Sequence, residues 1–302
     1  GVQTCALPIC APEELKRKYA NSEISVKLID GSSFTLNKDA KSADMLANWK
    51  GANIMFNFNR FLALVIKELQ DLGRNKNVLF MVVMPLGFCV LYKYLFIDRE
   101  GAQEGSTEVI WQVMSMCLSM SLVMISGFAS AMMIAEEKEK MTLRSLLLSG
   151  LTPLEFILGK AFISTVLTTI VNLFIYFYMG ISNEAGIFIG YFVITIALGL
   201  LMNLFGALIG VIAPNQMSTG VVGMPMMMVF LLLPLFASIS ESFSNIARFV
   251  PIRSMNLLLE ALFNGQLYGQ MGSFGFEVVV IVAWTIIGFV SFDFAYKRMI
   301  TA

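Results

Sequence analysis

The sequence predicts an all-α polytopic membrane protein. It has six transmembrane helices, an N-terminal amphipathic interface helix, one charged cytoplasmic helix, and a small α+β fragment at the N-terminus. Three observations carry this. Hydrophobic residues make up 57% of the 302 and charged residues 14%, with mean hydropathy +0.74; soluble domains average about a quarter charged. Six apolar runs approach the ~20 residues a helix needs to cross a bilayer. Between two of them stands Glu136-Glu137-Lys138-Glu139-Lys140, and charged residues cost roughly 2.5–3.5 kcal/mol each at a bilayer centre. That cluster must lie in water.

The first 54 residues are polar and read differently from the rest. Ile24–Leu28 and Ser33–Leu36 alternate around Asp30-Gly31, the signature of a β-hairpin, and Ser42–Lys50 has the length of one short helix. So short a segment buries little core alone. Next, Phe58, Phe61, Leu62, Val65, Leu69 and Leu72 recur at helical spacing, while Arg60, Lys67, Glu68, Asp71 and Arg74 fall mainly on other faces. This predicts a helix lying in the membrane interface.

The six spans are expected at about Val78–Ile97, Val109–Ala135, Phe156–Gly180, Ile187–Ala213, Val221–Ile239 and Phe274–Ala295. Positive residues orient them. With the N-terminus cytoplasmic, the inner side holds Arg60, Lys67, Arg74, Lys76, Lys138, Lys140, Arg144, Lys160, Lys297 and Arg298. The outer side holds only Lys93, Arg99, Arg248 and Arg253. Both termini and the charge cluster are therefore expected in the cytoplasm of a cell-membrane protein. On the outer side, Arg248–Gly265 carries Met255, Leu258, Leu259 and Leu262 on one stripe, broken by Arg248, Arg253 and Glu260, which predicts a surface or partly re-entrant helix.

Composition also excludes. Zero net charge argues against a nucleic-acid partner. The chain has no histidine, and no paired mid-span carboxylates or nucleophile motif suggest an embedded enzyme. Cys89 and Cys117 lie inside apolar runs and read as small buried hydrophobes.

Within the spans, Ser115, Ser119, Ser126 and Ser130 fall on one face of the second helix. Ser164, Thr168 and Asn172 form a stripe on the third. Two readings stand: a polar lining for a translocation path, or helix packing through small and hydroxyl residues. Gly199, Asn203, Gly206 and Gly210 share a face of the fourth span and predict close helix contact, within the bundle or across a dimer. Met224, Met226, Met227 and Met228 make the fifth span adaptable, whether toward hydrophobic cargo or toward lipid.

The charged segment continues as Thr142-Leu143, Leu146-Leu147-Leu148, Pro153 and Gly159-Lys160. This run resembles the first cytoplasmic loop of permeases of the ATP-binding cassette (ABC) type-2 exporter family. It departs at Met141, where that family usually has glycine, and at Gly150, near where a proline often follows the leucines. The resemblance covers Asn57 to Arg298 and is specific at Glu136–Lys160. It implies that Glu136, Glu137, Lys138, Glu139, Thr142, Arg144 and Leu147 form a coupling helix docking into a separate cytoplasmic ATPase. It also implies a pair of permeases, homo- or heterodimeric, with ATP and Mg bound on the partner and no cofactor on this chain. The expected cargo is hydrophobic or amphipathic: peptide, drug or lipid-like. Alternatives are ABC-driven sodium efflux and a secondary transporter, and the short outer loop Asp98–Glu108 speaks against the former. Residues 1–54, with Leu15-Lys16-Arg17-Lys18-Tyr19, resemble the C-terminal tail of an ABC ATPase. They are read as a non-permease extension joined by artefact or frameshift ahead of a permease at 55–302, a natural fused tail being the alternative.

Overall fold

A computed structural model describes residues 24–27, 33–36, 58–98, 107–140, 142, 153–180, 184–237, 241–264 and 274–301. The hairpin strands β1 (Ile24–Lys27) and β2 (Ser33–Leu36) pair antiparallel, with Ile24 opposite Leu36 and Lys27 opposite Ser33. The turn at Asp30-Gly31 and the expected helix at Ser42–Lys50 lie outside the described residues.

Helix α1 (Phe58–Leu72) precedes the spans. It exposes Phe58, Leu62, Ile66 and Leu69 on one side and buries Leu64, Val65 and Glu68 on the other. An exposed apolar stripe backed by a buried face suits a helix lying between lipid and the bundle.

Six helices among the described residues are long and apolar enough to cross a membrane: Lys76–Phe96, Val109–Glu139, Glu155–Met179, Ala185–Ile212, Gln216–Phe236 and Gly275–Ala295. The protein is a multi-pass membrane protein. The first span opens at Asn75, whose side chain accepts hydrogen bonds from the Asn77 and Val78 N–H groups, and the fifth at Asn215, which accepts from Ser218 N–H. Both are side-chain caps of N–H groups left unpaired by helix geometry. Spans alternate in direction. At one end the start of the first span meets the start of the fifth through Asn77 and Gln216 (3.0 Å). At the opposite end Lys93 donates to Tyr178 O (2.8 Å), joining the ends of the first and third.

The second span is the shaft of the bundle: 83% of its most apolar stretch is buried, against 17% for the first and sixth spans and 22% for the fifth. It is not one uniform helix. Helix α2 (Thr107–Ser121) passes into an eight-residue π-helical segment, Leu122–Ala129, and then into α3 (Ser130–Glu139). Expected to stop at Ala135, this helix instead runs unbroken through Glu139, so the charged residues are its last turn.

The fourth span packs on that shaft through its small residues. A Cβ at Gly206 would sit 2.4 Å from Gly127 O and 2.9 Å from Ser126 O, and one at Gly210 would sit 2.8 Å from Ala131 O. At Gly199 the nearest atom, Ser126 Oγ, is 3.4 Å away, an ordinary contact. This face closes inside the chain. Of the two partners open in the sequence, a neighbouring span takes these glycines. At the other end, helices α4 (Glu241–Ala247) and α5 (Pro251–Phe263) cover the bundle. Ile252, Met255, Leu258, Leu259 and Leu262 are buried beneath α5, and Trp284 Nε1 donates to Phe249 O (2.6 Å).

Candidate functional site

Five segments converge where the second span ends. Its last turn carries Glu136, Glu137, Lys138 and Glu139 at successive positions, so the four side chains leave the helix in four directions. Each finds a different partner. Glu136 accepts from Asn75 Nδ2 (2.5 Å), at the cap of the first span, and pairs with Lys140. Lys138 donates to Val211 O and Ala213 O, both at 2.6 Å, closing the carbonyl end of the fourth span. A cation there also opposes the negative end of the helix dipole. Glu139 accepts from Gln216 N–H (3.0 Å), the first amide of the fifth, where a carboxylate is favoured for the converse reason.

Glu137 turns inward. Only 5% of it is exposed, and Lys160 and Glu68 around it are equally enclosed at 2% and 4%. Glu137 Oε1 accepts from Lys67 Nζ at 2.5 Å and from Lys160 Nζ at 3.1 Å; Lys160 Nζ also reaches Glu68 Oε2 at 2.6 Å. Lys67 Nζ lies 3.3 Å from Glu68 Oε1 and 3.5 Å from Asp71 Oδ2. Thr142 donates its hydroxyl to Glu137 Oε2. The quartet Lys67, Glu68, Glu137 and Lys160 is neutral overall, and each charge touches two of opposite sign or shares one. That sharing is what makes burial tolerable, since an isolated buried ion costs several kcal/mol.

Electrostatics follow the geometry. Burial works against the Lys67 ammonium, but its hydrogen bond to Glu137 and the charges of Glu68 and Glu137 outweigh it, raising its pKa above the ordinary 10.5. The hydrogen bond to Glu136 likewise raises Lys140.

Glu137, expected to present its carboxylate to a partner protein, has its side chain enclosed and paired within the chain. Glu136, Lys138 and Glu139 also bond in-chain, leaving Glu139 and Lys140 exposed. Thr142 is half-buried on Glu137. Arg144 and Leu147 lie outside the described residues.

The hydroxyl stripes are also enclosed. Ser126 Oγ and Thr168 Oγ1 are 2.8 Å apart, Ser121 donates to Asn172 Oδ1, Ser164 donates to Ile125 O (3.0 Å), and Tyr191 donates to Asn172 O (2.7 Å). Ser115 is half-buried and bonds Gln112 O, while Ser119 bonds Ser115 O. Ser130 is buried, and its hydroxyl has no hydrogen-bond partner among the described residues. These bonds join spans two, three and four, which favours the packing reading. Of the fifth-span methionines, Met227 is buried and Met224 and Met228 are exposed.

Glu68 escaped the sequence reading as a site residue, yet its signal was present. It stands at helical spacing among Val65, Leu69 and Leu72, a charge on an apolar stripe. Lys160, four residues into an apolar run, was the matching anomaly; such residues ordinarily have a partner. Among the described residues no group of three histidine, cysteine or acidic side chains could hold a metal ion.

Comparison with known proteins adds one finding. The family model described as ABC-2 type transporter matches residues 59–267, more than half of the chain. No curated protein matches it significantly.

Proposed function

The chain belongs to the ABC-2 type transporter family, and on that premise we propose that it is the permease subunit of an ATP-driven exporter whose force enters at the end of the second span. As an ABC-2 membrane domain it is a transport permease, not a catalytic domain. ATP and Mg are bound by a separate cytoplasmic ATPase, a second permease copy completes the route, and both termini face the cytoplasm. The excess of lysine and arginine at the end holding the quartet supports that orientation. Cargo is hydrophobic or amphipathic, in keeping with the apolar, methionine-bearing fifth span.

One observation carries the reading. The last turn of the second span is bonded to α1 and to the first, third, fourth and fifth spans, directly before segment 141–152. A displacement of that segment by a partner reaches every one of those elements through charged contacts. Only a partner whose states contact the segment differently could shift the bundle. In this reading Arg144 and Leu147 meet the ATPase, while Glu137 passes the displacement on and does not touch the partner.

The test is co-purification with the ATPase and permease-stimulated ATP hydrolysis. Arg144→Glu is expected to lose the complex. Glu137→Gln is expected to keep the complex but lose most of the transport per ATP hydrolysed. A complex untouched by Arg144→Glu and by Leu147→Asp rejects the docking assignment.

A further inference from the structure

The second span has a joint. Between its two α-helical halves, Leu122–Ala129 is π-helical, with the Ser130 N–H reaching Ile125 O five residues back. A π turn holds about one residue more than an α turn over the same rise, and such segments occur often at functional positions. Seven of the eight residues are buried, Met124 being the exception.

The surroundings are made to fit it. The Ser164 hydroxyl donates to Ile125 O, and Gly206 lets the fourth-span backbone approach the Ser126 and Gly127 carbonyls. Beside the joint, two enclosed polar atoms have no partner among the described residues, Ser130 Oγ and Asn203 Oδ1. Asn203 lies between Gly199, which faces Ser126 Oγ, and Gly206, which faces Ser126 O and Ser130 Cβ. Buried polar atoms are ordinarily paired. Two such atoms stand beside one irregular segment, Ser130 at its end and Asn203 on the span packed against it.

The two halves are held unequally. The inner half, Ser130–Glu139, is fixed by the ionic quartet and by Lys138 and Glu139. The outer half, Thr107–Ser121, is held across the bundle by neutral bonds, Ser121 to Asn172 and Asn256 to Ser119 (3.5 Å). Charge-assisted bonds are about twice as strong as neutral ones, so the outer half is the one that yields.

We propose that Leu122–Ala129 is a two-state hinge: conversion of its π turn to α-helix turns the outer half of the second span against an inner half that stays with the ionic quartet. Absorbing one residue into an α-helix rotates one half by about 100° and shifts it about 1.5 Å. Such a turn carries Ser115 and Ser119 to a different face and parts Ser121 from Asn172. The hinge rests on the exporter reading for what drives it, not for its existence.

Two measurements test it. In the intact transporter with its ATPase, and with Cys5, Cys10, Cys89 and Cys117 replaced by alanine, the pair Ser121→Cys/Asn172→Cys is cross-linked with and without ATP trapping. Cross-linking is expected to fall at least fivefold on trapping. In a variant lacking Met124, whose second span is continuous α-helix, it is expected not to change, with transport reduced more than tenfold and the complex intact. Equal cross-linking in both states of a transporting complex overturns the hinge. Should no ATPase complex form, the exporter reading fails alone, because the second measurement uses this chain by itself in nanodiscs. There, amides 122–130 are expected to exchange hydrogen at least tenfold faster than those of the buried α-helical residues 201–203 and 205–207, and equal protection overturns the hinge.

Discussion

Removing the Lys160 ammonium isolates what the ionic quartet contributes. In Lys160→Met the stem is kept in similar volume, while Glu68 and Glu137 stay enclosed and must share Lys67, whose side chain is 37% exposed. Breaking a buried pair by deleting one partner costs about 3–5 kcal/mol, and that is the loss expected. Glu137→Gln is milder, because Lys160 keeps Glu68 at 2.6 Å and Lys67 keeps Glu68 and Asp71. Its cost is about 1.5–3 kcal/mol, the range for a hydrogen bond to a charged group. Groups in direct contact couple by about 0.5–3 kcal/mol, so the double variant should be more stable than the sum of the two losses predicts. The assay is equilibrium unfolding of the purified chain in mixed micelles, followed by helical circular dichroism. A Lys160→Met variant within about 0.5 kcal/mol of wild type, the range for surface sites, would refute an enclosed quartet. Strict additivity of the double variant would refute the contact between Lys160 and Glu137. Replacing all four residues by apolar side chains of similar volume should be near neutral for stability while abolishing transport.

Three further outcomes are expected. Gly206→Ala places a methyl against two backbone carbonyls and should cost about 1–3 kcal/mol, whereas Gly87→Ala, where a Cβ meets nothing within 4 Å, should be neutral or stabilising by up to about 1 kcal/mol; thermal melting of the two variants decides this. Lys138→Met leaves the Val211 and Ala213 carbonyls without their cation and should cost about 1–2 kcal/mol, with Lys138→Arg recovering most of it in the same melt. Lys67 has a raised pKa, so its contribution is fully present below the ordinary lysine value of 10.5 and is lost only as pH rises through the higher folded value. The melting difference between Lys67→Met and wild type should therefore be equal at about pH 6 and about pH 9, both below that window; a difference shrinking by half at the upper pH would contradict it.

The spans, the interface helix and their alternation were legible in the sequence because lipid imposes one demand, length of apolar helix, that composition reports directly. What escaped is what two distant segments do together. Glu137 and Lys138 are adjacent and equally charged in magnitude, yet one enters a buried quartet and the other closes a helix end, and nothing local separates them. The serine face of the second span was derived by assuming 3.6 residues per turn from Ser115 to Ser130. The π segment breaks that count between Ser121 and Ser130, so upper and lower serines do not share the face a regular helix would give them. Gly206 and Gly210 were legible as a close contact, but the partner backbone was not.

The order of the quartet along the chain has a consequence for synthesis. Lys67 and Glu68 leave the ribosome first, Glu137 about seventy residues later, and Lys160 only with the third span. When the second span enters the membrane, its permanent counter-ion from the third span has yet to be made, and Lys67 on the waiting interface helix is the one quartet lysine already available. The 2.5 Å contact between Lys67 and Glu137 is thus the one pairing of Glu137 within the quartet that needs no residue from the third span. Lys160, the last of the four in the chain, supplies the second cation that Glu68 and Glu137 share.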